Sequence, residues 1–279
     1  FDNDSPQISV AVPAPGEYIS DLIVSYTLSE DLAAGMFLWD QKSGSKDLNA
    51  PHRTELIGVE LSEGDHSKII LQNSPTLVEG AIYDVTLSAT DAAGNNSEDI
   101  LIPVVGFDSK SPVISVVSPV VNSQLNEWRF DYSLSEDLLD GKMTWQWVGG
   151  TDDPKEKHTT SLNAQEKTAG DHKKTFFAGT PSLVDGAIYH VTLSGQDRAE
   201  NQAEPATVEN LTFDVTPPYI VASRPAPMSS INNDTVSFSL SETLNSGAIV
   251  WTPLPRFSGR ASGFSYDLIG EFLHEGLHE

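Results

Sequence analysis

The sequence predicts an all-β fold, built as tandem β-sandwiches of about seven strands each, with the third one truncated. First, the pair Phe-Asp recurs at Phe1, Phe107 and Phe213, so the sequence repeats itself every 106 residues. Second, apolar and polar residues alternate within each copy, the pattern of strands with one buried and one exposed face. Third, 20 Gly and 17 Pro residues break the chain into the short segments typical of turn-rich β proteins.

The repeat defines the domain organisation. Without any insertion, the offset relates Leu28-Ser29-Glu30 to Leu134-Ser135-Glu136 and Leu240-Ser241-Glu242, Trp39 to Trp145 and Trp251, and Gly80-Ala81-Ile82-Tyr83 to Gly186-Ala187-Ile188-Tyr189. Repeat 1 is therefore expected at 1–106, repeat 2 at 107–212 and repeat 3 at 213–279. Glu279 is equivalent to Lys173, so repeat 3 is expected to lack the fifth, sixth and seventh strands, E, F and G. Such an incomplete sandwich would leave unpaired strand edges.

The strands of repeat 1 are predicted in order from alternation and from the turn residues between them. They are expected at 7–13, 21–29, 35–41, 53–60, 66–72, 81–90 and 97–106. In the sixth of these, Tyr83, Val85 and Leu87 alternate with polar residues. About seven short strands in about 100 residues indicate a β-sandwich.

The segment from Leu77 to Tyr83, repeated from Leu183 to Tyr189, resembles the tyrosine corner of fibronectin type III and other immunoglobulin-like domains. There, a tyrosine at the start of strand F buries its ring and bonds its hydroxyl to the preceding loop. The wider pattern is similar to the immunoglobulin-like repeats of large bacterial secreted and surface-attached proteins, including adhesins. The resemblance implies tandem immunoglobulin-like sandwiches, and it also implies calcium at the junctions between repeats.

Composition excludes several classes of function. The chain has 16 Lys and Arg against 40 Asp and Glu, a net charge of −24, which excludes a general phosphate-binding surface and hence nucleic-acid binding. The absence of cysteine excludes disulfides and thiolate sites. No apolar run approaches the length that spans a membrane, so no membrane insertion is expected of this segment. The start at Phe1, without a signal peptide, suggests an excised piece.

The segment from His274 to His278 reads His-Glu-Gly-Leu-His, the pattern that binds zinc when two histidines lie on one face of a helix. The repeat explains this match differently, because Gly276 and His278 are equivalent to Gly64 and His66. A helix here would contradict the β pattern of the other copies. We therefore expect no zinc and no enzymatic activity.

Two further sets of recurring residues are expected to be structural. They are the histidines His52, His66, His158 and His172 and the tryptophans Trp39, Trp145 and Trp251. A recurring histidine at a loop edge is typical of a hydrogen-bonding residue, with a metal ligand as the alternative. On the third strand the tryptophans share a face with Phe37, Met143 and Ile249, which favours core positions over a sugar-stacking platform.

Acidic residues and asparagines recur where the chain enters each sandwich and in the loops after strands B and F. These three places meet at one pole of an immunoglobulin-like fold. In repeat 2 they are Asp108, Glu136, Asp137, Asp197 and Asn201, and in repeat 1 Asp2, Asp4, Glu30, Asp31, Asp91 and Asn95. Calcium takes six to eight oxygen ligands of these types. The alternative is that Asp91–Asn95 and Asp197–Asn201 are ordinary turns. Arg198 within the second copy weakens both interpretations, and the sequence leaves both open.

Together these patterns predict a non-catalytic structural rod segment of a bacterial secreted or cell-surface repeat protein, related to adhesion, with calcium-rigidified junctions. The expected partners are the neighbouring repeats of the same chain, while other parts of the protein would contact a cell-surface or matrix ligand. The expected location is extracellular or on the cell surface. The alternative is a ligand- or polysaccharide-binding module appended to an extracellular enzyme.

Overall fold

The structure is a computed structural model that describes residues 2–232, 235–252 and 263–279. The fold is all-β, as the sequence predicts. Each of the first two repeats is a sandwich of two sheets whose strands pair mainly in antiparallel fashion. The chain forms two compact units, Phe1–Asp214 and Val215–Glu279. In the described part of the chain, no helix has the length and apolar character needed to cross a membrane.

The described residues of repeat 1, from position 2 onward, form eight strands. They are β1 Ile8–Val12, β2 Tyr18–Ile19, β3 Ile23–Leu28, β4 Leu32–Gly44, β5 His52–Glu55, β6 Gly64–Ile70, β7 Ala81–Asp91 and β8 Ile100–Phe107. One sheet has the order β1-β3-β6 and the other β2-β8-β7-β4-β5. Two details differ from the prediction: β2 is an additional edge strand parallel to β8, and a 3-10 helix, Gly58–Leu61, replaces the end of the strand predicted at 53–60.

Repeat 2 has the same topology, as the 106-residue offset requires. Its strands are β9 Ile114–Ser118, β10 Gln124–Leu125, β11 Arg129–Leu134, β12 Asp140–Gly150, β13 Lys157–Ser161, β14 Gly170–Phe176, β15 Ala187–Gln196 and β16 Ala206–Phe213. The sheets have the orders β14-β11-β9 and β10-β16-β15-β12-β13. Alternation is regular in β15, where Ala187, Tyr189, Val191 and Leu193 are buried.

Repeat 3 contains the first strands of the same plan. They are β17 Ile220–Arg224, β18 Ser237–Leu240, β19 Ala248–Trp251, β20 Phe264–Asp267 and β21 Gly276–His278, with a 3-10 helix at Gly270–Leu273. Because β21 pairs with β18 as β6 pairs with β3, the expectation that repeat 3 lacks strand E is wrong for the start of that strand. The strand begins earlier than predicted, at a glycine with positive φ: Gly64 in repeat 1 and Gly276 in repeat 3.

The cores of the first two repeats are centred on the predicted tryptophans. Trp39 and Trp145 are about 1% and 0% exposed, which confirms them as core residues. The Trp39 ring packs edge-on against Tyr83, with 6.5 Å between ring centroids. Trp251, the equivalent in repeat 3, is only half-buried.

The predicted tyrosine corner is present and has an additional acidic partner. The Tyr83 hydroxyl accepts a hydrogen bond from the Val78 amide at 3.0 Å and donates one to Asp47 Oδ2 at 2.7 Å. His52 Nε2 donates to the same oxygen at 2.6 Å. Burial acts to raise the pKa of Asp47, but the hydrogen bonds from His52, Tyr83 and the backbone outweigh burial and lower this pKa to about 2. Repeat 2 has the same network at Asp153.

The Asp47 network predicts a specific loss of stability in acid. The folded pKa lies below the unfolded one, so the stabilisation is present above about pH 4 and is lost as pH falls towards about 2. Asp47→Asn should lower the free energy of unfolding by about 1–3 kcal/mol at pH 7, since buried donors lose a charged partner. This difference from the wild type should shrink at pH 2. Urea denaturation followed by tryptophan fluorescence measures both values, with exposed Asp99→Asn as control. An equal difference at both pH values would contradict the assignment.

Candidate metal centre

The F–G turns, between β7 and β8 in repeat 1 and between β15 and β16 in repeat 2, are each organised by one aspartate and one asparagine. Asp197 Oδ1 accepts hydrogen bonds from the amides of Ala199 and Asn201 at 2.8 and 2.9 Å, and Asp197 Oδ2 accepts from Asn201 Nδ2 at 2.8 Å. Asp91 and Asn95 make the same contacts in repeat 1. Both aspartates are buried. These contacts are those of a turn, and they fix where each buried carboxylate lies.

Three carboxylates meet where repeat 1 passes into repeat 2. Asp108, Glu136 and Asp197 each offer an oxygen, and these oxygens lie within 4.8 Å of one another. We call this group the junction cluster. Asp108 follows β8, Glu136 follows β11 and Asp197 follows β15, so the sandwich topology brings together residues far apart in sequence. Asn201 Nδ2 also donates to the main-chain oxygen of Asp108 at 2.8 Å, which ties the turn to the connection.

Repeat 1 carries the equivalent group at its own entrance. Asp2, Glu30 and Asp91 offer oxygens within the same 4.8 Å limit, and we call them the entrance cluster. Asn95 Nδ2 lies 3.4 Å from the main-chain oxygen of Asp2, as Asn201 lies near that of Asp108. The same arrangement thus occurs twice, although Asp2 is exposed whereas Asp108 is half-buried.

Glu79 adds a fourth acidic group to the junction from the far end of repeat 1. Its Oε2 accepts hydrogen bonds from the amide and hydroxyl of Ser109 at 3.2 and 2.9 Å. The carboxyl groups of Glu79 and Asp108 are also hydrogen-bonded to each other. Both repeats therefore contribute to the acidic environment.

Crowding makes full ionisation of the junction cluster unfavourable. Burial, followed by the charges of Asp108 and Asp197, raises the pKa of Glu136 to about 7. Burial and the hydrogen bond with Glu79 raise the pKa of Asp108 to about 6. Burial also acts to raise the pKa of Glu79, but hydrogen bonds from Asp108 and Ser109 outweigh it and lower this pKa. A proton or a cation would relieve the repulsion among these groups.

The entrance cluster shows the same trend in a more exposed setting. Desolvation, together with the charges of Asp2 and Asp91, raises the pKa of Glu30. Desolvation also acts to raise the pKa of Asp91, but hydrogen bonds from Asn95 and the turn amides prevail and lower it. In this cluster the turn holds Asp91 in its ionised form, whereas the charged form of Glu30 is disfavoured.

Five of the residues predicted as ligands lie outside both clusters. Two of them, Asn95 and Asn201, bond the turn aspartates, and the other three are acidic. Asp137 Oδ1 accepts a hydrogen bond from the Ala169 amide at 2.7 Å, and Asp31 Oδ1 accepts one from the Glu63 amide at 2.8 Å. Both brace the connection that leads into strand E. Asp4 is exposed and donates its amide to Asp2. Neighbours in sequence thus have different partners, which residue type alone does not reveal.

The recurring histidines make structural contacts. His66 stacks on Tyr26 at 4.5 Å between centroids and bonds a main-chain oxygen through Nε2, and His172 does the same in repeat 2. His278 lies on β21, and its Nε2 bonds the main-chain oxygen of His274 at 2.7 Å. The preceding 3-10 helix ends at Leu273, so these two histidines do not share a helical face.

Comparisons with known proteins give likeness of fold only. No family model matches the chain, and no curated protein matches it in sequence. Among solved structures, the chain is similar to the chicken CNTN1 FN1–FN3 domains, with 12% identity and a TM-score of 0.35 over 76% of this chain and 68% of that one.

Two further solved structures are similar to the chain. The fibronectin(III)-like modules of Clostridium thermocellum CbhA match at 14% identity and a TM-score of 0.33, over 75% of this chain and 94% of that one. A tetra-tandem repeat from the extending region of a large adhesion protein matches at 15% identity and a TM-score of 0.28, over 98% of this chain and 64% of that one. With scores this low, the fold assignment depends on the sheets described above.

The junction cluster predicts that substitutions at two of its members have opposite effects on stability when no cation is present. At pH 8 in chelator, Glu136→Gln should raise the melting temperature, because it removes a carboxylate whose ionised form is disfavoured in the fold. Asp197→Ala should lower the free energy of unfolding by about 1–3 kcal/mol, because three donors lose their acceptor. Calorimetry of the whole chain measures both. A lower melting temperature for Glu136→Gln would show that its charge stabilises the fold.

Proposed function

We propose that the chain is a non-catalytic, structural rod segment of a bacterial secreted or cell-surface repeat protein, related to adhesion, and that calcium stiffens its repeat junction. The observation that supports this most directly is the junction cluster. Asp108, the second residue of repeat 2, is bonded through its amide to Ile19 of repeat 1, whereas Glu136 and Asp197 lie in loops of the repeat 2 sandwich. A cation held by all three would connect the two domains.

The connection between the repeats supports a rod, because it is hydrogen-bonded and has no linker. The Phe107 oxygen accepts from the Gly80 amide at 2.8 Å, and the Asp108 amide donates to the Ile19 oxygen at 3.0 Å. Flexible junctions need unpaired, Gly- or Ser-rich chain. Here the main chain remains attached to repeat 1 up to the first residue of the cluster.

The donor set fits calcium. Asp108, Glu136 and Asp197 would hold the ion, and Glu79 would add negative charge beside them. Calcium prefers carboxylate oxygens in a flexible arrangement and completes its shell with water or main-chain oxygen. A bound divalent ion would supply the positive charge that the crowded carboxylates lack. Asn201, which bonds both Asp197 and the Asp108 main chain, would hold the ligands in place.

The charge and the partners follow from the same proposal. A net charge of −24 keeps a long repeat protein soluble and suits a calcium-containing extracellular medium. The partners of this segment are its neighbouring repeats, and ligand recognition belongs to other parts of the protein. The alternative of a polysaccharide-binding module receives no support from Trp39 and Trp145, because both are buried.

Calcium should bind the whole chain and raise the melting temperature of the unit Phe1–Asp214. A ligand specific for the folded state adds about 2.7 kcal/mol at a hundred times its Kd. Glu136→Gln should weaken calcium binding at the junction, because it removes a ligand charge. Isothermal titration and calorimetry measure these effects.

Asp137→Asn is the matched control, since it removes the same charge from the adjacent residue, whose side chain bonds the Ala169 amide instead. It should bind calcium as the wild type does. Equal loss in both variants would indicate general electrostatic attraction and would contradict a site. Absence of any calcium-dependent heat or thermal shift would refute the calcium part of the proposal.

A further inference from the structure

A second contact joins repeats 1 and 2, between an arginine and a tyrosine. The guanidinium carbon of Arg198 lies over the ring of Tyr18, 4.2 Å from its centroid. Arg198 belongs to the turn between β15 and β16, whereas Tyr18 lies on β2 of repeat 1. Guanidinium groups stack on aromatic faces at this distance, because the π electrons attract the cation and both groups are planar.

The Tyr18 ring packs on Gly106, where the side chain of any other residue would displace the ring. Tyr18 pairs with Gly106, and a Cβ at Gly106 would lie 2.7 Å from two ring atoms of Tyr18. The ring therefore packs directly on the backbone of β8. We call Tyr18 and Gly106 the platform, and its contact with Arg198 the clasp.

The clasp is specific to this junction and is not part of the shared fold. At the 106-residue offset, Arg198 is equivalent to Ala92, Tyr18 to Gln124 and Gly106 to Thr212. Repeats 1 and 2 nevertheless form the same two sheets with the same strand order. The sandwich thus does not require these three residues.

The clasp relates the orientation of repeat 2 to that of repeat 1, because Arg198 and Tyr18 are each held firmly by their own repeat. Arg198 directly follows Asp197, whose carboxylate binds the turn amides, so Arg198 moves with repeat 2. Tyr18 is paired to β8 and moves with repeat 1. The Asn201–Asp108 bond lies at the connection itself, while Tyr18 lies on the edge strand of the five-stranded sheet. Two separate contacts prevent the rotation that one would allow.

We propose that the platform of Tyr18 and Gly106 is an interdomain docking site for Arg198, and that this clasp sets the angle between repeats 1 and 2 without any bound cation. The matching partner is a following repeat that carries arginine directly after the first aspartate of its F–G turn. A repeat with alanine there, as repeat 1 has at Ala92, would dock without a fixed angle.

The test measures the distance between the repeats in the whole chain. The sequence has no cysteine, so Ser67→Cys and Lys173→Cys place spin labels at two equivalent exposed positions. Pulsed electron resonance in chelator then gives the distance distribution. Arg198→Ala, which recreates the alanine of repeat 1, should raise the population outside the main peak about two- to fivefold, the factor expected for an exposed cation–π contact.

Further variants separate the clasp from loss of stability. Tyr18→Gln should broaden the distribution, whereas Tyr18→Phe, which keeps the ring, should not. Arg129→Ala removes a cation–π contact within repeat 2, with Phe176 at 6.0 Å, and should leave the distribution unchanged. A wild-type distribution for Arg198→Ala, or equal broadening for Arg129→Ala, would overturn the inference.

The chelator also separates this inference from the calcium proposal. Broadening by Arg198→Ala in chelator supports the clasp whether or not calcium binds. Failure of calcium to bind the whole chain refutes the calcium proposal and leaves the clasp intact. If the distance distribution of Arg198→Ala stays narrow in chelator, the clasp is refuted, even if the variant binds calcium normally.

Discussion

The organisation of this molecule depends on the fact that Asp108 is fixed to repeat 1 by its main chain and to repeat 2 through its contacts. Its amide bonds the Ile19 oxygen, and its own oxygen accepts from Asn201. Because Asp108 is bonded to both repeats, the turn of repeat 2 that carries Asp197 cannot separate from repeat 1 at this point without breaking a hydrogen bond. Charge crowding at the junction is therefore a built-in consequence of the fold.

Much of the fold could be predicted, because each repeat supplies an independent reading of the same pattern. Alternation located the strands, and the recurrence of Trp39 and Tyr83 at Trp145 and Tyr189 identified the core. Asp47 was missed, although its recurrence as Asp153 was a visible signal. Its role depends on the Tyr83 hydroxyl and the His52 imidazole, from two strands of one sheet, meeting at the same carboxylate, which local periodicity does not encode.

The sequence predicts where the candidate site lies better than it predicts which side chains form it. Topology alone places the entrance and the two loops together, and the structure brings Asp108, Glu136 and Asp197 within reach of one another. It directs Asp137 to a backbone amide instead, because adjacent loop residues face different sides. The contact of Arg198 with Tyr18 requires the relative placement of two domains, so no pattern within one repeat indicates it.

Anomalous diffraction from crystals of the chain grown with calcium would test the central claim most directly. The account predicts an anomalous peak at the junction, about 2.3–2.6 Å from carboxylate oxygens of Asp108, Glu136 and Asp197, as calcium requires. Such a peak would establish that one ion connects the loops of repeat 2 to Asp108, whose amide is bonded to repeat 1. A water molecule or no density at that position, with Asp108 still hydrogen-bonded to Glu79, would contradict the account.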